Sequence, residues 1–132
     1  MNLSARLSAF APAVLSLIRL MSGLLFLEHG TQKLLGFPAS DMHPPLMSIF
    51  GAAGVIELVG GVLIAIGLFT RPAAFIASGM CAFAYFIAHA PKTFFPALNG
   101  GDAAILFCFI FLYFVFAGGG RYSLDAMLRN KV

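Results

Sequence analysis

Four long apolar runs, separated by short stretches rich in glycine, proline and polar residues, constrain this chain more than any other feature. They lie at about residues 12–35, 46–69, 73–90 and 102–117. A membrane-spanning helix needs roughly 17–25 apolar residues, whereas a strand of a membrane barrel needs about 10 residues of alternating polarity. The four runs are long and do not alternate. The sequence therefore predicts an all-α fold, an integral membrane four-helix bundle.

The composition supports a membrane environment. Hydrophobic residues make up 61% of the 132 residues and charged residues only 10%, whereas soluble domains carry about 25% charged residues. A soluble domain of this size could not enclose so much apolar surface, so the lipid bilayer is an expected partner. We expect a single domain, residues 1–132. The net charge of +3 is small and gives no reason to expect nucleic acid.

The basic residues predict the orientation of the bundle. Four spans place both termini on one side of the membrane, together with the turn between the second and third spans. Five basic residues fall on that side and two, Lys33 and Lys92, fall on the other. Because basic residues concentrate on the cytoplasmic side, we expect both termini to be cytoplasmic. The five are Arg6, Arg71, Arg121, Arg129 and Lys131.

Two charged residues fall well inside the predicted spans, Arg19 in the first and Glu57 in the second. A charge at the centre of a membrane helix costs roughly 2.5–3.5 kcal/mol on insertion scales, so such residues usually face the bundle interior and find partners. At about 1.5 Å of rise per residue, a long arginine side chain covers much of the difference in depth. We therefore expect an Arg19–Glu57 pair, with either a structural or a functional role.

A second polar group falls at the outer ends of three spans. His29, Lys33, His89, Asn99 and Asp102 have similar predicted depths. This convergence predicts an outward-facing polar pocket in which Lys33 pairs with Asp102. Alternatively, Asn99 or Asp102 caps the last span, and Lys33 only extends to the headgroups. The expected apolar walls of the pocket are Phe26, Phe86 and Phe94.

The remaining chemistry-bearing residues give no sign of a metal or redox centre. Cys81 and Cys108 lie inside apolar runs, form no CxxC motif and belong to no Cys/His cluster with zinc spacing. We interpret them as small hydrophobic residues. The sequence shows no haem-ligand pair, no flavin motif and no set of iron–sulfur cysteines, and we expect no metal site.

Four blocks of sequence resemble the DoxX family of small bacterial four-helix membrane proteins. They are HGTQKLLGF, GVIELVGGVLIAIGLFTR, NGGDAAILF and GGGRYSLD, and the resemblance runs from about Arg19 to Asp125. It implies a multi-pass protein of the bacterial inner (cytoplasmic) membrane, linked to redox assemblies that use quinone. The family positions carried onto this chain are Arg19, His29, Gly30, Lys33, Glu57, Gly61, Asn99, Gly100, Arg121 and Asp125.

Three functions are compatible with the sequence. The resemblance implies a subunit of a membrane redox system, a candidate quinone-linked oxidoreductase subunit whose electrons come from a partner enzyme or a bound quinol. Charges within the spans would also suit a small-solute transporter or channel, which would have to be a homo-oligomer because four helices are few for a pore. The third is a non-catalytic anchor or assembly protein. The candidate quinone-binding residues are Arg19, His29, Lys33, Glu57, His89, Asn99 and Asp102.

Overall fold

The computed structural model describes residues 2–129, whose secondary structure elements are all helices, with no strand. The all-helical prediction is confirmed for this range, and Lys131, one of the residues used to predict the orientation, lies outside it. A π-helical turn, Tyr85–His89, continues the fourth helix. The helices are α1 (Leu3–Ala9), α2 (Ala11–Leu35), α3 (Ile49–Ile66), α4 (Thr70–Ala84), α5 (Pro96–Asn99), α6 (Asp102–Ala117) and α7 (Leu124–Arg129).

Three of these elements are long and apolar enough to cross a membrane. They are α2, α3 and the 20-residue unit Thr70–His89, which joins α4 to the π-helical turn. The fourth apolar helix, α6, has 16 residues, which corresponds to about 24 Å of length. All four coincide with the predicted apolar runs to within a few residues.

The helix α3 is shorter than the predicted run of 46–69 because a cap and a glycine define its ends. The Ser48 hydroxyl accepts a hydrogen bond from the Gly51 amide at 3.1 Å, which is typical of a residue that begins a helix. At the other end Gly67 adopts a φ of 71°, a left-handed conformation that ends helices and favours glycine. A Cβ atom at Gly67 would also lie 2.5 Å from the Cβ atom of Ser123.

The antiparallel helices α2 and α3 form the most extensive helix pair. Their backbones meet at glycines: a Cβ atom at Gly23 would lie 2.5 Å from the amide nitrogen of Ala65. A Cβ atom at Gly61 would lie 2.6 Å from the Cα atom of Leu27, and one at Gly30 would lie 2.5 Å from the amide nitrogen of Leu58. Small residues permit such contacts in a bilayer, where close packing replaces the hydrophobic effect between helices.

The second large helix pair is α4 with α6, and aromatic side chains fill the centre of the bundle beside it. Phe26 of α2 packs edge-on against Phe111 of α6, with ring centroids 4.9 Å apart. Phe111 and Phe114 are fully buried, as are Ala74 and Ala77 of α4. The small alanine side chains leave room for the phenylalanines, so this part of the core is packed from apolar side chains.

The outward faces of the long helices are apolar. Leu17, Phe75, Phe83, Leu106 and Phe109 are all more than half exposed, with values between 58% and 70%. So many large exposed apolar side chains are unfavourable in water but suit contact with lipid tails. The outer surface therefore matches a bilayer environment.

The chain direction gives the bundle two distinct ends. The terminal end comprises α1, the start of α2, the turn between α3 and α4, and residues 118–129. The loop end comprises the end of α2, the start of α3, the π-helical turn, α5, the start of α6 and the loops 36–48 and 90–95.

Candidate functional site

A buried ion pair joins α2 to α3 at the loop end. Lys33 Nζ donates to both carboxylate oxygens of Glu57, at 2.6 Å and 2.7 Å. The Lys33 and Glu57 side chains are 15% and 7% exposed, and this is the only salt bridge within residues 2–129. Because the two charges neutralise each other, Glu57 can lie buried between two largely apolar helices.

The expected Arg19–Glu57 pair is therefore wrong, and so is the expected pairing of Lys33 with Asp102. The backbone of Gly30 meets that of Leu58, so Glu57 lies level with the last turns of α2. Arg19 is eleven residues before Gly30, about 16 Å away along the helix axis. The depth estimate failed because it treated the midpoints of the two spans as level, whereas α3 is shifted towards the loop end.

Arg19 instead lies at the terminal end, where its guanidinium group binds backbone carbonyls. It donates to Gly119 at 2.6 Å, to Ile64 at 2.8 Å and to Tyr122 at 2.6 Å, and it also donates to Ala65. The side chain is only 3% exposed. The free carbonyls at the end of α3 carry partial negative charge, so they stabilise the buried guanidinium. The structure thus separates Arg19 from the other candidate residues.

His29 lies one turn before Lys33 on α2 and is exposed. Its ring meets the ring of Phe107 on α6 edge-on, with centroids 6.1 Å apart. His29 precedes Gly30, whose backbone meets that of Glu57 and Leu58, so His29 lies level with Glu57. We call His29, Lys33 and Glu57 the charged cluster.

A second polar group surrounds Asn99, which is 4% exposed. Its side-chain amide donates to the Thr93 carbonyl at 2.7 Å and to the Tyr85 hydroxyl at 3.2 Å. Its side-chain oxygen accepts from the Gly101 amide at 2.8 Å. His89 Nδ1 lies 3.1 Å from the Asn99 carbonyl oxygen. These contacts, which we call the Asn99 network, fix the loop that leads into α6.

Asp102 is exposed in the first turn of α6. An acidic residue is favourable there because the N-terminal end of a helix carries partial positive charge. The predicted pocket residues of the loop end thus fall into two groups, the charged cluster on α2 and α3 and the Asn99 network with Asp102 on the other side. No salt bridge joins the two groups within residues 2–129.

Between α4 and α6, a groove of about 310 Å³ opens at the loop end. Its walls are almost entirely apolar and include Phe86 and Phe94, two of the three phenylalanines predicted to line a pocket. The third, Phe26, is buried in the core. Tyr85 also lines the groove, but its hydroxyl donates to the Phe94 carbonyl. The sequence did not predict the groove itself.

Both cysteines line this groove. The Cys108 carbonyl accepts a hydrogen bond from the Ser78 hydroxyl at 2.7 Å, which ties α6 to α4. Cys81 is 3% exposed and lies on α4, which packs against α3, the helix that carries Glu57. The groove and the charged cluster therefore lie at the same end of the bundle. Within the described range, no group of three or more His, Cys, Asp and Glu side chains is arranged to hold a metal ion.

At the terminal end, Asp125 of α7 caps α4, a role that the sequence did not reveal. Its two carboxylate oxygens accept from the amides of Phe69 and Thr70, each at 2.9 Å. Burial raises the pKa of Asp125, but these hydrogen bonds and the charge of Arg129 together lower it, so that the pKa lies below its usual value. Asp125 thereby satisfies amides that the start of a helix leaves free.

Comparison with known proteins gives a consistent result. A family model described as DoxX matches residues 14–90. This match includes α2, α3 and α4, and therefore the whole charged cluster. An uncharacterized protein of Haemophilus influenzae is 43% identical over 134 residues, and the alignment covers 95% of this chain and 98% of that protein. No solved structure was found to match the chain.

Proposed function

Since the chain belongs to the DoxX family, we propose that it is a multi-pass inner-membrane subunit of a redox system and that it binds quinone or quinol at the loop end. The observation that carries this proposal is the apolar groove between α4 and α6, which opens at the same end of the bundle as the charged cluster. Sites for small organic ligands are typically apolar clefts beside a few polar groups.

In this proposal the chain crosses the membrane four times, with α6 as the fourth span and with both termini in the cytoplasm. The exposed side chains of α6 include Leu106, Phe109 and Phe116, which suit contact with lipid. At the loop end, the charge of Lys33 is neutralised by Glu57. The basic residues of the terminal end therefore dominate, which favours a cytoplasmic location for that end.

The groove suits the apolar parts of a quinone. Ligand sites have volumes of about 300–1,000 Å³, and the groove, at about 310 Å³, matches a substituted ring or the first units of an isoprenoid tail. Phe86, Phe94 and Phe109 line it and offer aromatic faces for packing. When bound, a quinone would supply two-electron, two-proton redox chemistry.

In this proposal the charged cluster supplies a hydrogen bond to the quinone. The exposed His29 has a ring N–H that can donate to a quinone oxygen while the Lys33–Glu57 pair stays formed. The pair also holds α2 and α3 in register beside the groove. Electrons pass to or from a partner enzyme of the same redox system.

Two neighbouring alanines of α6 provide a matched test. Ala104 lines the groove, whereas Ala103 is exposed. We expect purified wild type and Ala103→Phe to bind a short-chain quinone saturably, as measured by calorimetry. Ala104→Phe should bind about tenfold more weakly, because the added ring occupies much of a cleft that is already at the small end of the range.

A His29→Ala variant tests the charged cluster separately. We expect it to bind the short-chain quinone about fivefold more weakly, because it removes one hydrogen-bond donor to a quinone oxygen. The quinone function would be wrong if wild type showed no saturable binding or if both phenylalanine variants bound equally well. Equal affinity for a long-chain alcohol would identify the groove as a lipid-tail site.

The buried Lys33–Glu57 pair favours a second function, an oligomeric transporter or channel for a small solute, because ionisable residues in spans often mark transport pathways. Solute flux into liposomes that is lost in the Lys33→Met, Glu57→Met double variant would support it. Quinone binding without flux would exclude it. A stable co-purifying enzyme, with neither activity, would indicate the non-catalytic anchor.

A further inference from the structure

The terminal end contains a cavity that the proposed quinone site does not use. Its volume is about 320 Å³, and its walls include Phe69, Thr70, Arg71, Pro72, Leu128 and Arg129. On α4 the cavity lining ends at Pro72 and the groove lining begins at Cys81, which places the two about 14 Å apart along this helix. The cavity therefore lies where the bundle ends and the membrane–water interface begins.

Two guanidinium groups line the cavity, and each has unused donors. Arg71 Nη1 donates to the carbonyls of Val115 and Phe116, at 2.8 Å and 2.7 Å, which holds the group against the end of α6. Arg129 Nε donates to the Asp125 carbonyl at 3.3 Å. The other side-chain nitrogens of both arginines donate no hydrogen bond within residues 2–129. Arginine forks of this kind match the geometry of phosphate oxygens.

One acidic side chain, Asp125, also lines the cavity, but both of its oxygens already accept from the amides that begin α4. Its charge is thus balanced by the helix, and the two arginines leave the lining with net positive charge. The Thr70 hydroxyl is fully buried beside this carboxylate, which adds to the balance of its charge.

We propose that this cavity binds the phosphate group of an anionic phospholipid, with Arg71 and Arg129 as its charged ligands. The apolar part of the lining explains why a lipid, and not a soluble phosphate, is the occupant. Phe69 and Leu128 are 63% and 52% exposed, and with Pro72 they provide a surface for the glycerol backbone and the upper acyl chains. Basic side chains at the cytoplasmic surface attract anionic lipids.

The test is native mass spectrometry of the full-length protein in detergent with added phosphatidylglycerol or phosphatidylcholine. We expect saturable binding of one phosphatidylglycerol with about fivefold preference, and a loss of about fivefold in Arg129→Gln, the usual effect of one basic side chain near an anionic surface. The matched control is Arg121→Gln, which removes an exposed arginine of the same end whose side chain stacks on Tyr122. This control should change binding less than twofold.

A second variant, Arg71→Gln, should bind phosphatidylglycerol more weakly than Arg129→Gln does. Its melting temperature, compared with that of wild type, shows whether the substitution also destabilises the fold. Equal losses in Arg129→Gln and Arg121→Gln would show diffuse charge attraction and would overturn the site, as would equal binding of the two lipids. If millimolar inorganic phosphate displaces the lipid and binds in its absence, the site recognises soluble phosphate and the lipid assignment is wrong. None of these outcomes depends on quinone binding.

Discussion

The terminal end and the loop end hold the same helices together by different means. At the terminal end, single side chains bind backbone groups far away in sequence: Arg19 reaches carbonyls of α3 and of the loop after α6, and Asp125 reaches the amides that begin α4. At the loop end, the Asn99 network stays within residues 85–101, and a single ion pair joins two helices.

This difference separates structural polar groups from candidate functional ones. Hydrogen bonds between residues far apart in sequence fix the relative positions of the long helices, so the terminal end is the more rigid end of the bundle. The loop end has fewer such bonds and contains the groove, and ligand-binding segments are commonly drawn from the less stable part of a fold. Side chains at the loop end can therefore be changed for function at a lower cost in stability.

The largest effect is expected at Arg19. Arg19→Met keeps much of the side-chain volume but removes every donor to four backbone carbonyls. Because a hydrogen bond to a charged group contributes about 1.5–3 kcal/mol and four such bonds are lost, the free energy of unfolding should fall by about 6 kcal/mol, or the protein should fail to fold. Equilibrium unfolding in mixed detergent micelles measures this change.

The matched control is Arg121→Met, which removes an exposed arginine of the same end and should change the free energy of unfolding by less than about 0.5 kcal/mol. If the two variants are equally stable, the carbonyl contacts of Arg19 do not hold the terminal end, and the proposed contrast between the ends disappears.

A smaller effect is expected for the ion pair. Lys33→Met leaves the Glu57 carboxylate buried without its partner, and such losses cost about 3–5 kcal/mol when the pair is fully dry. Lys33 retains 15% exposure, so we expect about 3 kcal/mol. The Lys33→Met, Glu57→Met double variant should recover most of this loss.

The same unfolding measurements form two double-mutant cycles. Lys33 and Glu57 should show strong coupling, whereas Arg19 and Glu57, which lie at opposite ends, should give additive losses. Coupling between Arg19 and Glu57 would contradict the register of α2 and α3.

The sequence predicted the helices well because the length of an apolar run, its hydropathy and the glycine and proline residues that end it are local properties. It misassigned the partner of Glu57 because the register of α2 against α3 depends on how glycine backbones meet, which the positions of span ends do not specify. The groove forms because α6 packs on α4. The periodicity of the apolar residues does not specify which helices pack together, so the groove could not be predicted. The role of Arg19 was hidden for another reason: its partners are backbone carbonyls, which every residue possesses.

The smallest expected effect is the difference between variants of two aspartates, one at each end of the bundle. Asp125 accepts two amide hydrogen bonds, whereas Asp102 is exposed in the first turn of α6. Loss of a helix cap costs about 1 kcal/mol, so Asp125→Asn should destabilise by about that amount at neutral pH. Asp102→Asn should have an effect within about 0.5 kcal/mol.

The pH dependence separates a cap from a general charge effect. The pKa of Asp125 is lower in the folded protein than its usual value, so its contribution is complete above the unfolded pKa of about 3.9 and is lost as the pH falls through the folded pKa. Wild type and Asp102→Asn should therefore lose thermal stability over that acidic window, and Asp125→Asn should lose less. Parallel melting-temperature profiles for all three proteins would show that the Asp125 carboxylate does not act as the cap of α4. The long-range bonds of charged side chains at the terminal end would then be those of Arg19 and Arg71 to backbone carbonyls.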